Sequence, residues 1–275
     1  MFSKVIKNVK NSTPLVHNIT NYVTVNDCAN ILLACGGSPI MADDVEEVEE
    51  ITSISNALVI NIGTLNSRTI KSMIKSGKKA NEVGIPVILD PVGSGASKLR
   101  TETTFKLLEE VKFTVIRGNM SEIKAVGKAH TSRTRGVDAS VDDSINDENI
   151  EEVAKYIKSL SKSLSAIIVV TGAIDIVADG TKVYAIRNGH PIMSKISGTG
   201  CMLSAIIGAF CGANKESYTD ATVTAVCAMG LCGELAYEKM IKNEAGTSSL
   251  RLYLIDFMSK MNEKILEEGA NFEAR

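Results

Sequence analysis

Aliphatic runs alternate with helical patterns along the chain. Val59-Ile60-Asn61-Ile62-Gly63 predicts a buried strand, and Ile70, Met73 and Ile74 then recur at helical spacing. Pro86-Val87-Ile88-Leu89-Asp90 predicts a second strand, followed by a helix around Phe105, Leu107, Leu108 and Val111. Phe113-Thr114-Val115-Ile116-Arg117 predicts a third. A polar stretch over 128–149 then interrupts the pattern and reads as a loop with a frayed helix start. A fourth strand is expected over 166–171. The short runs 175–178 and 182–186 are split by Asp179-Gly180, a strong hairpin turn signal. The last third reads as helical, with Leu254, Phe257, Met258, Met261 and Ile265 on one face.

Strands that are apolar throughout and separated by helices predict an α/β fold. The expected architecture is a mostly parallel central sheet with helices on both faces and an antiparallel edge hairpin. No linker, low-complexity segment or repeat breaks the pattern, so residues 1–275 are expected to form one domain.

Composition narrows the function classes. A chain of 275 residues, 44% of them hydrophobic, buries a large core without staples. A formal net charge of -2 offers no basic excess for nucleic acid or an anionic membrane. No run reaches the roughly 18 apolar residues of a membrane span. The longest apolar stretch, Met202 to Ala213, is too short and contains Ser204. Met1-Phe2-Ser3-Lys4 has no apolar run behind its lysine, so no secretory signal is expected. Cys28, Cys35, Cys201, Cys211, Cys227 and Cys232 lack C-x-x-C spacing; five of them read as small core hydrophobes in a reducing cytoplasm. His17, His130 and His190 are scattered and show no zinc-ligand spacing.

In open α/β sheets ligands bind beyond the carboxyl ends of the strands. The residues that follow the expected strands are Gly63-Thr64, then Asp90-Pro91-Val92-Gly93-Ser94-Gly95, then Arg117-Gly118-Asn119 with Glu122, then Thr171-Gly172. Two carboxylates, an arginine and several glycine turns thus share one edge. Phosphoryl transfer needs these parts: oxygen ligands for a metal, a cation for developing charge, and backbone donors around the moving group. Taken singly, Asp90 fits a turn residue, Arg117 a structural ion pair and Glu122 the first turn of a helix.

Ile196-Ser197-Gly198-Thr199-Gly200-Cys201-Met202-Leu203 is the strongest single segment. Two glycines free the backbone just before an apolar helix. A helix start presents unpaired N–H groups and a positive dipole end, which together make an anion hole. The segment lacks the P-loop lysine and the third glycine of G-x-G-x-x-G, where Ser204 stands instead. Gly-x-Gly alone also fits a plain turn before a core helix. At that N-terminus the dipole is expected to lower the pKa of Cys201, which then acts as a weak base toward a hydroxyl or simply fills its place. A second polar region runs through His17-Asn18-Ile19-Thr20-Asn21, Asn26 and Asn30. Neutral amides and imidazole suit an uncharged heteroaromatic alcohol, or serve as turn and cap residues before a helix. Met41 either packs on an apolar ring through its sulfur or fills the core.

Taken in order, His17-Asn18-Ile19-Thr20-Asn21, Ser38-Pro39-Ile40-Met41-Ala42, Asn61-Ile62-Gly63-Thr64-Leu65, Leu89-Asp90-Pro91-Val92-Gly93, Arg117-Gly118-Asn119, Thr171-Gly172 and Gly198-Thr199-Gly200-Cys201 span nearly the whole chain. Together they resemble the hydroxyethylthiazole kinase family of the ribokinase-like superfamily. The resemblance implies ATP-dependent phosphorylation of the hydroxyl of 4-methyl-5-(2-hydroxyethyl)thiazole, in thiamine salvage. By position it implies that Met41, Gly198 and Asn21 bind the thiazole and that Arg117 and Thr171 bind ATP. It implies that Asp90 and Glu122 organise Mg²⁺ and that Cys201 occupies the place of the aspartate base of most ribokinase-like enzymes. Gly198, Thr199 and Gly200 would hold the transferred phosphate. It further implies a cytoplasmic homotrimer with sites between subunits, in which Asn21 and Met41 of one chain face Gly198 and Cys201 of a neighbour. Met120, Ala139, Ser94 and Ser97 depart from the family pattern. A related vitamin kinase usually carries an aspartate after the glycines, and an ATP-dependent repair dehydratase is expected to have an acid near Cys201. A plain nucleotide-binding module would leave the second polar region unexplained.

Overall fold

The computed structural model describes residues 1–131 and 143–275. The departure at Ala139 lies outside the described residues. Among the described residues nine strands form one sheet: β1 (Leu15–Ile19), β2 (Ser38–Ile40), β3 (Ala57–Asn61), β4 (Val87–Asp90), β5 (Val115–Asn119), β6 (Ile167–Thr171), β7 (Asp175–Ala178), β8 (Val183–Ile186) and β9 (Phe272–Ala274). Their order is β2-β1-β3-β4-β5-β6-β7-β8-β9. Pairing is parallel from β2 to β6 and antiparallel from β6 to β9.

Eleven helices cover the sheet among the described residues: α1 (Phe2–Ser12), α2 (Val25–Cys35), α3 (Val48–Ile54), α4 (Ser67–Val83), α5 (Lys98–Glu110), α6 (Met120–Thr131), α7 (Ile150–Leu164), α8 (Thr199–Ala213), α9 (Tyr218–Lys242), α10 (Thr247–Lys260) and α11 (Glu263–Gly269). Alternate residues of β3 to β8 feed two separate cores, as the period-2 geometry of a strand requires. Val59, Ile88, Val115 and Val169 pack with α1, α2, α8, α9 and α10. Leu58, Ile60, Leu89, Ile116 and Ile168 pack with α4, α5, α6 and α7. Both faces being buried explains why these strands are apolar throughout. α8 lies close on the sheet because Gly208 has no side chain; a Cβ there would stand 2.7 Å from Val59 Cγ2.

The mostly parallel sheet, the helices on both faces and the 175–186 hairpin agree with the sequence expectation. Several details differ. β3 starts two residues early and β5 two residues late. Phe113 is buried in the α4–α7 core ahead of the ladder rather than within it. β1, β2 and β9 went unread. β1 hides because His17 and Asn18 break its apolar run; both are nonetheless buried and hydrogen-bonded, His17 to Thr52 and Ala42, Asn18 to the Val16 carbonyl. Burial lowers the pKa of His17. The last third is not wholly helical. The chain returns as β9 to widen the edge to three antiparallel strands, with Phe272 edge-on to Phe2 at 5.4 Å. The 128–149 stretch is helical through Thr131, and 143–149 precedes α7 without strand or helix.

Candidate active site

Parallel pairing aligns the carboxyl ends of β3 to β6: Asn61 stands beside Asp90, and Asn119 beside Thr171. Asp90, the last residue of β4, is fully buried. Its Oδ2 accepts hydrogen bonds from Asn61 Nδ2 and Ser204 Oγ, both at 2.8 Å. Its Oδ1 faces Arg117 Nη1 at 3.5 Å and has no hydrogen-bond partner among the described residues. Burial raises the Asp90 pKa; Arg117, Ser204 and Asn61 pull it back down, and the charge of Glu122 adds to the rise. Arg117 also donates from Nη2 to Thr171 Oγ1 at 2.7 Å, while its buried Nε has no hydrogen-bond partner among the described residues. Unpartnered polar atoms inside a protein cost free energy unless something fills the gap. Here one open acceptor, Asp90 Oδ1, and one open donor, Arg117 Nε, stand at adjacent strand ends.

α8 begins over this cluster. Gly198 adopts a left-handed conformation, φ 92, and its carbonyl accepts the N–H of Met202 at 2.9 Å. The N–H groups of Thr199, Gly200 and Cys201 lie ahead of the first helical bond and have no carbonyl in the helix to reach. Neither glycine can be replaced without collision: a Cβ on Gly198 would strike the Thr24 side chain, and one on Gly200 would strike the Arg117 guanidinium. The start of α8 therefore sits directly above the arginine.

Cys201 is half-buried, and its Sγ lies 3.2 Å from Asn21 Nδ2 and 3.3 Å from Asn61 Nδ2. The lowered thiol pKa expected from the helix dipole is corrected here. Burial is the largest influence and pushes the thiol up; Asp90's charge adds to it, against hydrogen bonds from Thr24 and Asn21 and the charge of Arg117. The expectation that Asn21 faces a neighbour's Cys201 is corrected as well, because Asn21 meets Cys201 of its own chain. Asn21 Oδ1 accepts from the Thr24 N–H and hydroxyl at 3.2 and 3.1 Å.

Glu122 is a first-turn residue of α6. Its Oε2 accepts the Asn119 N–H at 2.8 Å while Asn119 Oδ1 accepts the Glu122 N–H at 2.9 Å, a reciprocal cap. Its Oε1 accepts the Gly93 N–H at 2.8 Å. Both carboxylate oxygens are thus used by backbone donors, each keeping one lone pair. Met120 points into the core and is buried. For Mg²⁺, which prefers oxygen ligands and keeps several waters, the unpartnered Asp90 Oδ1 is a fitting donor and Glu122 fits through water.

Arg117, Thr171, Asp175, Asn188, Met193, Thr199 and Gly200 are among the residues that line a cleft of about 530 Å³. Asp175 Oδ1 accepts the Gly172 N–H at 2.9 Å. Burial pushes its carboxyl up to about 7, against that hydrogen bond and the charge of Arg117.

The structure thus brings together Asn21, Asp90, Arg117, Thr171, Gly198, Thr199, Gly200 and Cys201, with Glu122 one loop away. Met41 packs half-buried against the α8–α9 core. Asn26 and Asn30 bond each other on the exposed side of α2, away from the site. Two residues at the centre of the network had no assigned role in the sequence, Asn61 and Ser204. Each is a lone polar residue in an apolar element, Asn61 ending β3 and Ser204 one turn beyond Gly200, and that isolation was the readable signal.

The model of the hydroxyethylthiazole kinase family matches residues 6–264. A hydroxyethylthiazole kinase of Clostridium acetobutylicum is 57% identical over 274 residues, covering 100% of both chains. One of Ruminiclostridium cellulolyticum is 52% identical, covering 98% of this chain and 95% of its own. A solved structure of the hydroxyethylthiazole kinase protein from Pyrococcus horikoshii OT3 superposes with a TM-score of 0.88 at 36% identity, covering 100% of this chain and 98% of that one. Pyridoxal kinase from Staphylococcus aureus, in complex with AMP-PCP and pyridoxal, shares the fold at a TM-score of 0.59 and 16% identity, over 95% of this chain and 98% of that one.

Proposed function

The chain belongs to the hydroxyethylthiazole kinase family, and on that premise we propose how its strand-end site transfers phosphate from ATP to the thiazole alcohol. It phosphorylates the hydroxyl of 4-methyl-5-(2-hydroxyethyl)thiazole. The observation that carries the assignment of roles is the pair of unpartnered atoms, Asp90 Oδ1 and Arg117 Nε, beneath the unpaired N–H groups of α8.

ATP lies along the cleft, with its terminal phosphates over Arg117 and Thr171. The N–H groups of Thr199, Gly200 and Cys201 hold the transferred phosphoryl group, and Arg117 offsets its charge. Such a group passes through a loose transition state in which positioning and electrostatics outweigh covalent chemistry. Asp90, directly or through water, and Glu122, through water, would hold Mg²⁺, which when bound would neutralise charge on the phosphate oxygens. The thiazole lies against Met41, Asn21 and Gly198, its hydroxyl facing Cys201. The raised thiol pKa keeps Cys201 neutral near pH 7, so it orients the hydroxyl and leaves no strong base in its place. Asn21 and Asn61, holding the sulfur from two sides, fix that orientation.

Residues 1–275 act as one ribokinase-like domain, a reading supported by one continuous sheet that the last residues close. The enzyme works in the cytoplasm, in keeping with six free cysteines. It assembles as a homotrimer, in which Met41 of a neighbour completes the thiazole pocket. Exposed Tyr22 and Val23, next to Asn21, offer apolar surface for that contact. No helix among the described residues is long and apolar enough to cross a membrane.

The test is a coupled ATP-consumption assay. ADP should form only when both the thiazole alcohol and Mg²⁺ are present. Equal turnover with hydroxymethylpyrimidine, and none with the thiazole, would overturn the assignment.

A further inference from the structure

Arg100 stands in the first turn of α5, outside the network described above. Its guanidinium binds backbone carbonyls. Nη1 donates to Val92 O at 2.5 Å and reaches Ile62 O at 3.4 Å, and Nη2 donates to Gly63 O at 2.7 Å. Ile62 and Gly63 directly follow Asn61, the last residue of β3; Val92 lies two residues beyond Asp90, the last of β4. Parallel pairing ends at the Asn61–Asp90 step, with one further tie from the Ile62 N–H to the Asp90 carbonyl at 3.2 Å. Beyond that step Arg100 takes the carbonyls that the ladder leaves open. Three acceptors on two separate loops suit a rigid planar fork, which a single ammonium cannot reproduce.

The fit is close on both sides. Gly93 lies beneath the guanidinium at φ 71, and a Cβ there would stand 3.0 Å from Nη1. The N–H of the same Gly93 donates to Glu122 Oε1. The loop after Asp90 is thus pinned between a cation on its carbonyl and an anion on its N–H. A few ångströms along the chain, Asn61 Nδ2 must meet Asp90 Oδ2 at 2.8 Å.

We propose that Arg100 is a positioning residue for phosphate transfer: by joining the loops after β3 and β4 it holds Asn61 and Asp90 in register. The proposal rests on the reading of Asp90 as part of the transfer site. It locates the effect in the chemical step. Arg117 and Thr171 lie on β5 and β6, outside the span that Arg100 joins, so nucleotide affinity should survive its loss. Misplacement of a reacting constellation by about 1 Å costs on the order of 10²-fold in rate.

The experiment measures kcat, KM for ATP, KM for the thiazole alcohol and melting temperature in Arg100→Met, Arg100→Lys and Asp90→Asn. Arg100→Met should lose about 10²-fold in kcat with KM for ATP unchanged, and Arg100→Lys should recover part of it. A wild-type kcat in Arg100→Met, whatever its melting temperature, overturns the proposal. If Arg100→Met fails to fold, Arg100→Lys decides: lower kcat at an unchanged melting temperature supports the proposal, and wild-type kcat overturns it. Full turnover by Asp90→Asn would remove the reading of the site itself. An inactive Asp90→Asn beside fully active Arg100 variants would remove only the role given to Arg100.

Discussion

Replacing Asn61 by alanine removes the junction of the site. Asn61 Nδ2 donates to buried Asp90 Oδ2 at 2.8 Å and toward Cys201 Sγ at 3.3 Å, while its Oδ1 accepts from Asn21 Nδ2 at 3.0 Å and from the Gly63 N–H at 2.9 Å. The bond to the carboxylate contributes about 1.5–3 kcal/mol, and each bond between neutral groups about 1. Asp90 keeps Ser204, and Asn21 keeps Cys201, so part of the loss is absorbed. A net destabilisation of about 3 kcal/mol follows. At roughly 2 cal/mol/K per residue of unfolding entropy, that is a fall of about 5 °C in melting temperature. The effect on catalysis should be larger, because both Asp90 and Cys201 lose the group that orients them; kcat should drop about 10²-fold. Differential scanning fluorimetry and the coupled assay read the two quantities on one preparation. Unchanged kcat with a lower melting temperature would make Asn61 structural only and refute the network as a catalytic device.

Cys201→Ser keeps an acceptor for Asn21 and Asn61, so kcat should stay within about tenfold of the wild type, whereas loss of a general base costs roughly 10²–10⁴-fold; a loss of 10³ would refute the neutral-thiol role. Asp175 provides a pH test. Its carboxyl is raised from 3.8 to about 7 in the folded chain, so the folded state holds a proton that the unfolded state has lost between those values. The stability this adds is complete below 3.8 and disappears as the pH rises to about 7, a difference of about 4 kcal/mol. Asp175→Asn cannot ionise, so its melting temperature should gain on the wild type between pH 5 and pH 8; a constant difference would contradict the raised value.

The architecture was legible where burial on both faces wrote unbroken aliphatic runs, as in β3, β4 and β6. It was illegible where a strand is polar yet buried, as with His17 and Asn18 in β1, or short and held by distant aromatics, as with Phe272 in β9. Strand ends announced Asp90, Arg117 and Thr171, since parallel register places them together. Asn61 ends β3 beside Asp90 but carries no charge to single it out, and the role of Ser204 exists only once α8 lies across β3 and β4. The thiol pKa of Cys201 could not be read from its place at a helix start, because burial and Asp90's charge outweigh the influences that lower it. The partners of Asn21 needed coordinates as well, since Cys201 lies 180 residues away in the chain.

The most direct measurement is the rate of phosphate transfer to the thiazole alcohol by Asp90→Asn at saturating ATP and Mg²⁺. The amide keeps the shape of a fully buried side chain and removes its charge, so the protein should stay folded. The account predicts a rate about 10²–10³-fold below the wild type, the scale on which a single preorganised electrostatic group acts in catalysis. A rate within tenfold of the wild type would contradict it.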